Sequence, residues 1–130
     1  MYAIFVDHSM RIIRAHLSGF FTEDDVMNFA RDEQMAAESL RFTDGGFGLL
    51  VETSGGVLQS QTVAASFQRL FIELPIKARK LAIVSESALF KMQLRRIADG
   101  QRTCVFDDTE AALVWMLEGL GDSNVTGNRA

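Results

Sequence analysis

The residues with the most chemical promise lie between Val51 and Gln61, in the stretch VETSGGVLQSQ. An apolar run stops at a glycine pair, the stretch carries hydroxyls on Thr53, Ser54 and Ser60, and Thr62 follows it in a segment of helical spacing. Free amides at a helix start attract anions, and glycine lets a ligand approach the backbone. Three readings fit: an anion held on amides, a hydroxyl that accepts a phosphate or docks a partner, or a plain turn in which Ser60 caps the helix. The stretch is neither G-x-G-x-x-G nor a P-loop ending in Gly-Lys-Ser or Gly-Lys-Thr. Ser54, Ser60 and Thr62 are therefore the candidate phosphoacceptor or anion-site residues, with the turn as the plainer reading.

A second set stands out because polar groups interrupt apolar helical faces. At roughly 100° per residue, Val26, Phe29, Ala30, Ala36, Ala37 and Leu40 share one arc, with Glu33 in its middle. Leu89, Phe90, Met92, Leu94 and Ile97 form another, and Gln93 and Arg96 fall within it. An unpaired buried charge is costly, so Glu33 and Arg96 are expected to form an internal salt bridge or to snorkel at a helix flank. The functional alternative is that Glu33, Gln93 and Arg96 line a pocket or a dimer seam.

The remaining chemistry-bearing residues are isolated. The single cysteine, Cys104, sits beside Val105 and Phe106 and reads as a buried, inert thiol rather than a nucleophile. His8 and His16 lack HExxH spacing and read as ordinary surface or half-buried residues. Trp115 and Met116 read as packing. Neither a metal set nor a cofactor motif is legible, so no cofactor is expected.

Periodicity supplies the elements that must position these residues. Strands are predicted over 2–6 and 11–18, joined through Asp7-His8-Ser9 as a hairpin. Thr22 is suited to cap a helix whose first turn holds Glu23, Asp24 and Asp25, running to about Leu40. A buried strand follows over 47–53, then a helix over 60–74 that Pro75 stops. KLAIVSE is the next strand and 87–98 the next helix, ended by Gly100. TCVFDD is the last strand and TEAALVWMLEG the last helix, with Gly119 as its stop. The order β-β-α-β-α-β-α-β-α predicts an α/β fold on a single mixed, mostly parallel five-stranded sheet, with the hairpin as an antiparallel edge.

Totals bound the rest. A chain of 130 residues fits one domain, expected over 1–119 with a flexible tail over 120–130. The amino-terminal run lacks the basic lead of a secretory signal, and no 18 apolar residues run together, so a cytoplasmic protein without a membrane span is expected. A net charge of -4 argues against nucleic acid as the partner, the local basic cluster being Lys91, Arg95 and Arg96. Ten Phe, several near predicted loops (Phe20, Phe21, Phe47), favour self-association.

The hairpin ending in HLSG, the strand GLLVETSG, the stretch KLAIVSESALFKMQLRRI and the ending VFDDTEAALVWML together resemble the STAS-like group, which includes the SpoIIAA-like anti-sigma factor antagonists of bacteria. The resemblance implies a singly wound βα superhelix with strands in sequential order, which lacks the reversal that opens a ligand crevice in doubly wound folds. It also implies a serine, in an Asp-Ser-Ser-Gly-type segment after the third strand, that accepts phosphate from a partner kinase. This chain departs from that pattern, with Glu52, Thr53 and Ser54 before Gly55-Gly56 and no aspartate beside the hydroxyls. The expected function is a non-enzymatic regulatory or protein-interaction module with a protein partner, possible homodimerisation and signalling by phosphorylation. The alternative is a domain for a small apolar ligand, by likeness in outline to lipid-carrying CRAL-TRIO domains.

Overall fold

The computed structural model describes residues 1–42, 45–54, 60–97 and 102–118. Two strands open the chain, β1 (Tyr2–Asp7) and β2 (Ile12–Ser18). They are followed by α1 (Glu23–Ser39), β3 (Gly48–Ser54), α2 (Gln61–Glu73), β4 (Lys80–Val84), α3 (Ala88–Ile97) and β5 (Thr103–Phe106). Residues 109–118 form the last helix. The sheet is five-stranded in the order β1-β2-β3-β4-β5. β1 and β2 pair antiparallel, and the other neighbours pair parallel. Gly100, Gly119 and the predicted tail lie outside the described residues.

Local chemistry sets the boundaries. Thr22 caps α1 in a reciprocal capping box with Asp25, and the acidic first turn complements the positive helix end. The Ser60 hydroxyl accepts from the Val63 amide and caps α2, as the turn reading expected. Period-two alternation sends Ile13 and Ala15 to one side of the sheet and Ile12 to the other.

The two sides are covered unequally. α1 and α2 pack their apolar stripes, including Val26, Phe29, Val63 and Phe67, onto Ile13, Leu49, Val51 and Ile83. α3 lies beside α2 and β5 on that side. The last helix covers the other side with Ala112 and Met116 against Ile12, Leu50, Ala82 and Val84. It sits so close that a methyl group added to Gly48 would collide with the end of Met116. Trp115 packs on Phe106, with Lys80 Nζ 4.4 Å from its ring centroid, so the packing reading of Trp115 and Met116 holds.

Several expectations are corrected. Phe21 and Phe47 are buried in the larger core, whereas Phe20 is 75% exposed. Leu89 and Met92 are exposed although they lie on the apolar arc of α3, whose main contacts among the described elements are with α2 and β5. Cys104 is half-buried, because β5 is an edge strand.

Candidate functional site

The carboxyl ends of β2, β3, β4 and β5 meet the start of the last helix around an open cleft of about 560 Å³. Its walls include His16, Glu52, Ser54, Glu86, Asp107 and Thr109. The sequential strand order was expected to leave no crevice, and the structure corrects this. The chain leaves β4 for α3 on the α2 side, but leaves β5 for the last helix on the opposite side. The two departing connections diverge and leave a gap at the strand ends.

The rim is braced by short bonds. Thr53 Oγ1 donates to the Val84 carbonyl at 2.7 Å, tying β3 to the end of β4. The buried Ser85 hydroxyl accepts from the Ser87 amide at 3.2 Å, shaping the turn into α3. Asp108 Oδ1 accepts from the Ala111 amide at 2.8 Å, a side-chain cap for the last helix. Lys91 of α3 forms an ion pair with Asp107, so it does not belong to a free basic cluster.

Glu52 is the hub. Arg14 Nη2 donates to its Oε1 at 2.9 Å, and Thr109 Oγ1 donates to its Oε2 at 2.7 Å. Burial by itself raises the Glu52 pKa, but the bonds from Thr109 and Arg14 and the charges of Arg14 and His16 outweigh it and hold the carboxyl below the usual glutamate range. The Lys91 bond and charge likewise lower the Asp107 pKa. Glu52 and Asp107 thus stay ionised to lower pH than an ordinary carboxylate.

Beside this hub, His16 Nε2 lies 3.1 Å from Ser54 Oγ, and both residues are exposed. This is the spacing at which an imidazole can take a hydroxyl proton. Among the described residues no carboxylate bonds the other ring nitrogen to orient it.

The structure separates the candidates read from sequence. Ser54 is in the cleft, and beside it stands His16, which lies 38 residues away in the chain and carries no motif spacing. Ser60 is exposed but its hydroxyl oxygen serves the α2 cap, and Thr62 is exposed in the first turn of α2. Gly55-Gly56 and the side chains of Gln93 and Arg96 lie outside the described residues. Glu33 is 1% exposed, as its place in the apolar arc predicted.

Among the described residues Glu33 forms no salt bridge. Its Oε1 accepts from Gln34 Nε2 at 2.7 Å, and its Oε2 has no partner among them. Gln34 is itself fixed by two bonds to the backbone of Ile76, so it holds Glu33 from the side while α1 directs the carboxyl into the core. Burial raises the Glu33 pKa, against the opposing effect of the Gln34 bond. Arg14, Glu86, Asp107, Asp108 and Thr109 were not singled out from sequence. The signal that would have found Glu86, Asp107, Asp108 and Thr109 is their position at strand ends and helix starts on one side of a parallel sheet; Arg14 lies inside β2 and gives no such signal.

A five-stranded sheet in sequential order, with an antiparallel hairpin edge, defines a SpoIIAA-like α/β fold. The chain is similar to an uncharacterised DUF3478-family protein from Shewanella loihica PV-4 whose crystal structure has a SpoIIAA-like fold. That likeness has a TM-score of 0.64 at 17% identity, covering 88% of this chain and 93% of the other. No protein-family profile and no curated protein sequence matches the chain. Among the described residues no helix is long and apolar enough to cross a membrane.

Proposed function

We propose that the chain is a non-enzymatic regulatory module that docks a protein partner at the carboxyl end of its sheet. The observation that carries this reading is the cleft in which the exposed Ser54 hydroxyl adjoins a braced, ionised Glu52. Such a rim suits a lysine- or arginine-bearing segment of a partner. A phosphate on Ser54 would add about -1.5 to -2 charge among Glu52, Glu86, Asp107 and Asp108 and repel that segment. On Ser60 or Thr62 the same group would meet the positive start of α2 instead. Ser54 is therefore the site at which modification opposes docking. The SpoIIAA-like fold supports the reading, since serine modification in the segment after the third strand is the antagonists' switch.

The test compares partner recovery from native cells by wild type, Glu52→Gln and Ser54→Glu, with mass spectrometry of Ser54, Ser60 and Thr62. The expected result is a partner held by wild type and weakened about tenfold by Ser54→Glu, as for loss of a charged contact worth about 1.4 kcal/mol. Identical recovery by all three, with the three hydroxyls unmodified, overturns it. Labelling of Ser54 by a serine-directed fluorophosphonate that requires His16 would indicate an enzyme instead.

A second reading, a domain for a small apolar ligand, is favoured by a groove of about 450 Å³ between α1 and α2. Val26, Met27, Ala30, Leu70, Leu74 and Pro75 supply its apolar walls, and methionine adapts readily to ligand shape. Native mass spectrometry that finds no apolar compound on the purified protein rejects it.

A further inference from the structure

The outer edge of β1 carries a self-complementary pattern. β1 is the first strand of the sheet, and among the described residues no backbone group pairs with its outer side. Edge strands are normally guarded by lysine, proline, a bulge or inward charge. The sequence YAIFVD has none of these before its terminal aspartate, and its register with β2 is unbroken from Tyr2 to Asp7.

The hydrogen bonds fix which groups point outward. Met1 and Ser18 exchange both backbone bonds, each at 2.9 Å. In an antiparallel ladder such pairs alternate, so Ala3, Phe5 and Asp7 direct their peptide groups to β2. Tyr2, Ile4 and Val6 direct theirs outward.

We infer that β1 pairs antiparallel with β1 of a second copy of this chain, on a two-fold axis at Ile4, making one continuous sheet. This surface is separate from the partner-docking cleft. In this register Ile4 meets the partner's Ile4, and Tyr2 meets the partner's Val6. Every outward-facing peptide group of Tyr2, Ile4 and Val6 then finds a partner. A register centred on any other residue leaves at least one of them unmatched.

The side chains suit the same axis. On the face of the last helix, Phe5 is 63% exposed and stands opposite the partner's Ala3, a large group over a small one. On the other face a groove of about 450 Å³ runs between β1 and α1, lined by Tyr2, Ile4, Asp32, Met35, Ala36 and Ser39. Met35, 58% exposed, lies beside Ile4 near the axis. Arg31 and Glu38 sit four residues before and three after Met35 on one side of its stripe, both exposed. The two-fold sets antiparallel α1 helices side by side and brings Arg31, which also pairs with Asp32 of its own helix at 3.5 Å, towards the partner's Glu38, twice. This charge complementarity selects a second copy of this chain over an arbitrary strand. The contact is at the small end of specific interfaces, so a dissociation constant on the order of micromolar is expected.

Sedimentation velocity across a concentration range spanning that value tests the proposal. Wild type should pass from monomer to dimer. Phe5→Lys, at an exposed position, should weaken association about tenfold or more with an unchanged melting temperature. Ile4→Pro removes an outward amide that β2 does not use, and should act likewise. Arg31→Glu and Glu38→Arg should each weaken the dimer, and the double variant should restore it.

In a Cys104→Ser background, Ile4→Cys should cross-link through an intermolecular disulfide, since opposed α-carbons would lie about 5.5 Å apart. Val6→Cys should not, because its two copies would stand about 13 Å apart along the strand. A monomer at every concentration, a dimer that withstands Phe5→Lys, or equal cross-linking from both cysteine positions overturns the proposal.

Discussion

On the side covered by α1 and α2 the central strands present Ile13, Ala15, Leu49, Val51, Leu81 and Ile83, all buried. On the side covered by the last helix they present Ile12, Leu50, Ala82 and Val84 over part of their length, then Arg14, His16 and Glu52 beyond it. One helix cannot span the whole sheet, and the strip it leaves is where polar residues collect. Cohesion is therefore concentrated on one side, and the chemistry on the strip left open by the other. Glu33 breaks this division, as a carboxyl embedded in the cohesive side.

The contrast can be broken most severely at Phe29, which contacts Tyr2 and Phe67 in the larger core. Phe29→Ala should destabilise the protein by about 3–5 kcal/mol in chemical denaturation. Glu33→Met should act in the opposite direction, raising stability by about 2 kcal/mol at neutral pH. Burial raises the folded-state pKa of Glu33, so its penalty develops as pH rises from the ordinary glutamate value through the folded value. The advantage of the variant should accordingly shrink in acid, which denaturation at several pH values would show.

Glu52→Gln should be milder, about 1 kcal/mol less stable at neutral pH, because it weakens the bonds from Arg14 and Thr109. The folded-state pKa of Glu52 is depressed, so its contribution is present above the ordinary glutamate value and is lost as pH falls through the folded value. The difference from wild type should close in that acid window. Gly48→Ala should have the smallest effect, below about 1 kcal/mol, because the end of Met116 can swing aside from the added methyl. A larger loss in a thermal melt would mean that the last helix is as rigidly seated as α1.

The architecture was legible because it is written in local patterns. Alternation in Ile12 to Leu17, the Thr22 and Ser60 caps, and Pro75 after α2 each act within a few residues. Glu33 was also legible, as a break in a helical stripe. The cleft was not, because it depends on register between distant segments: Thr109 reaches Glu52 across 57 residues, and His16 reaches Ser54 across 38. Nothing near either histidine or Glu52 announces those meetings. Glu33 finds no salt-bridge partner among the described residues for a related reason, since a buried carboxyl can also be accommodated by shifting its pKa and accepting from a neighbour.

The strand order also bears on how the chain assembles. Because each strand lies against the one before it in the chain, each pairing needs only the next βα unit to arrive. Only the β1-β2 hairpin is local, whereas the parallel pairings, such as Ile12 with Gly48 and Gly48 with Lys80, close long loops and slow folding. During synthesis the opening hairpin would form first and serve as the template onto which each newly emerged βα unit docks in turn.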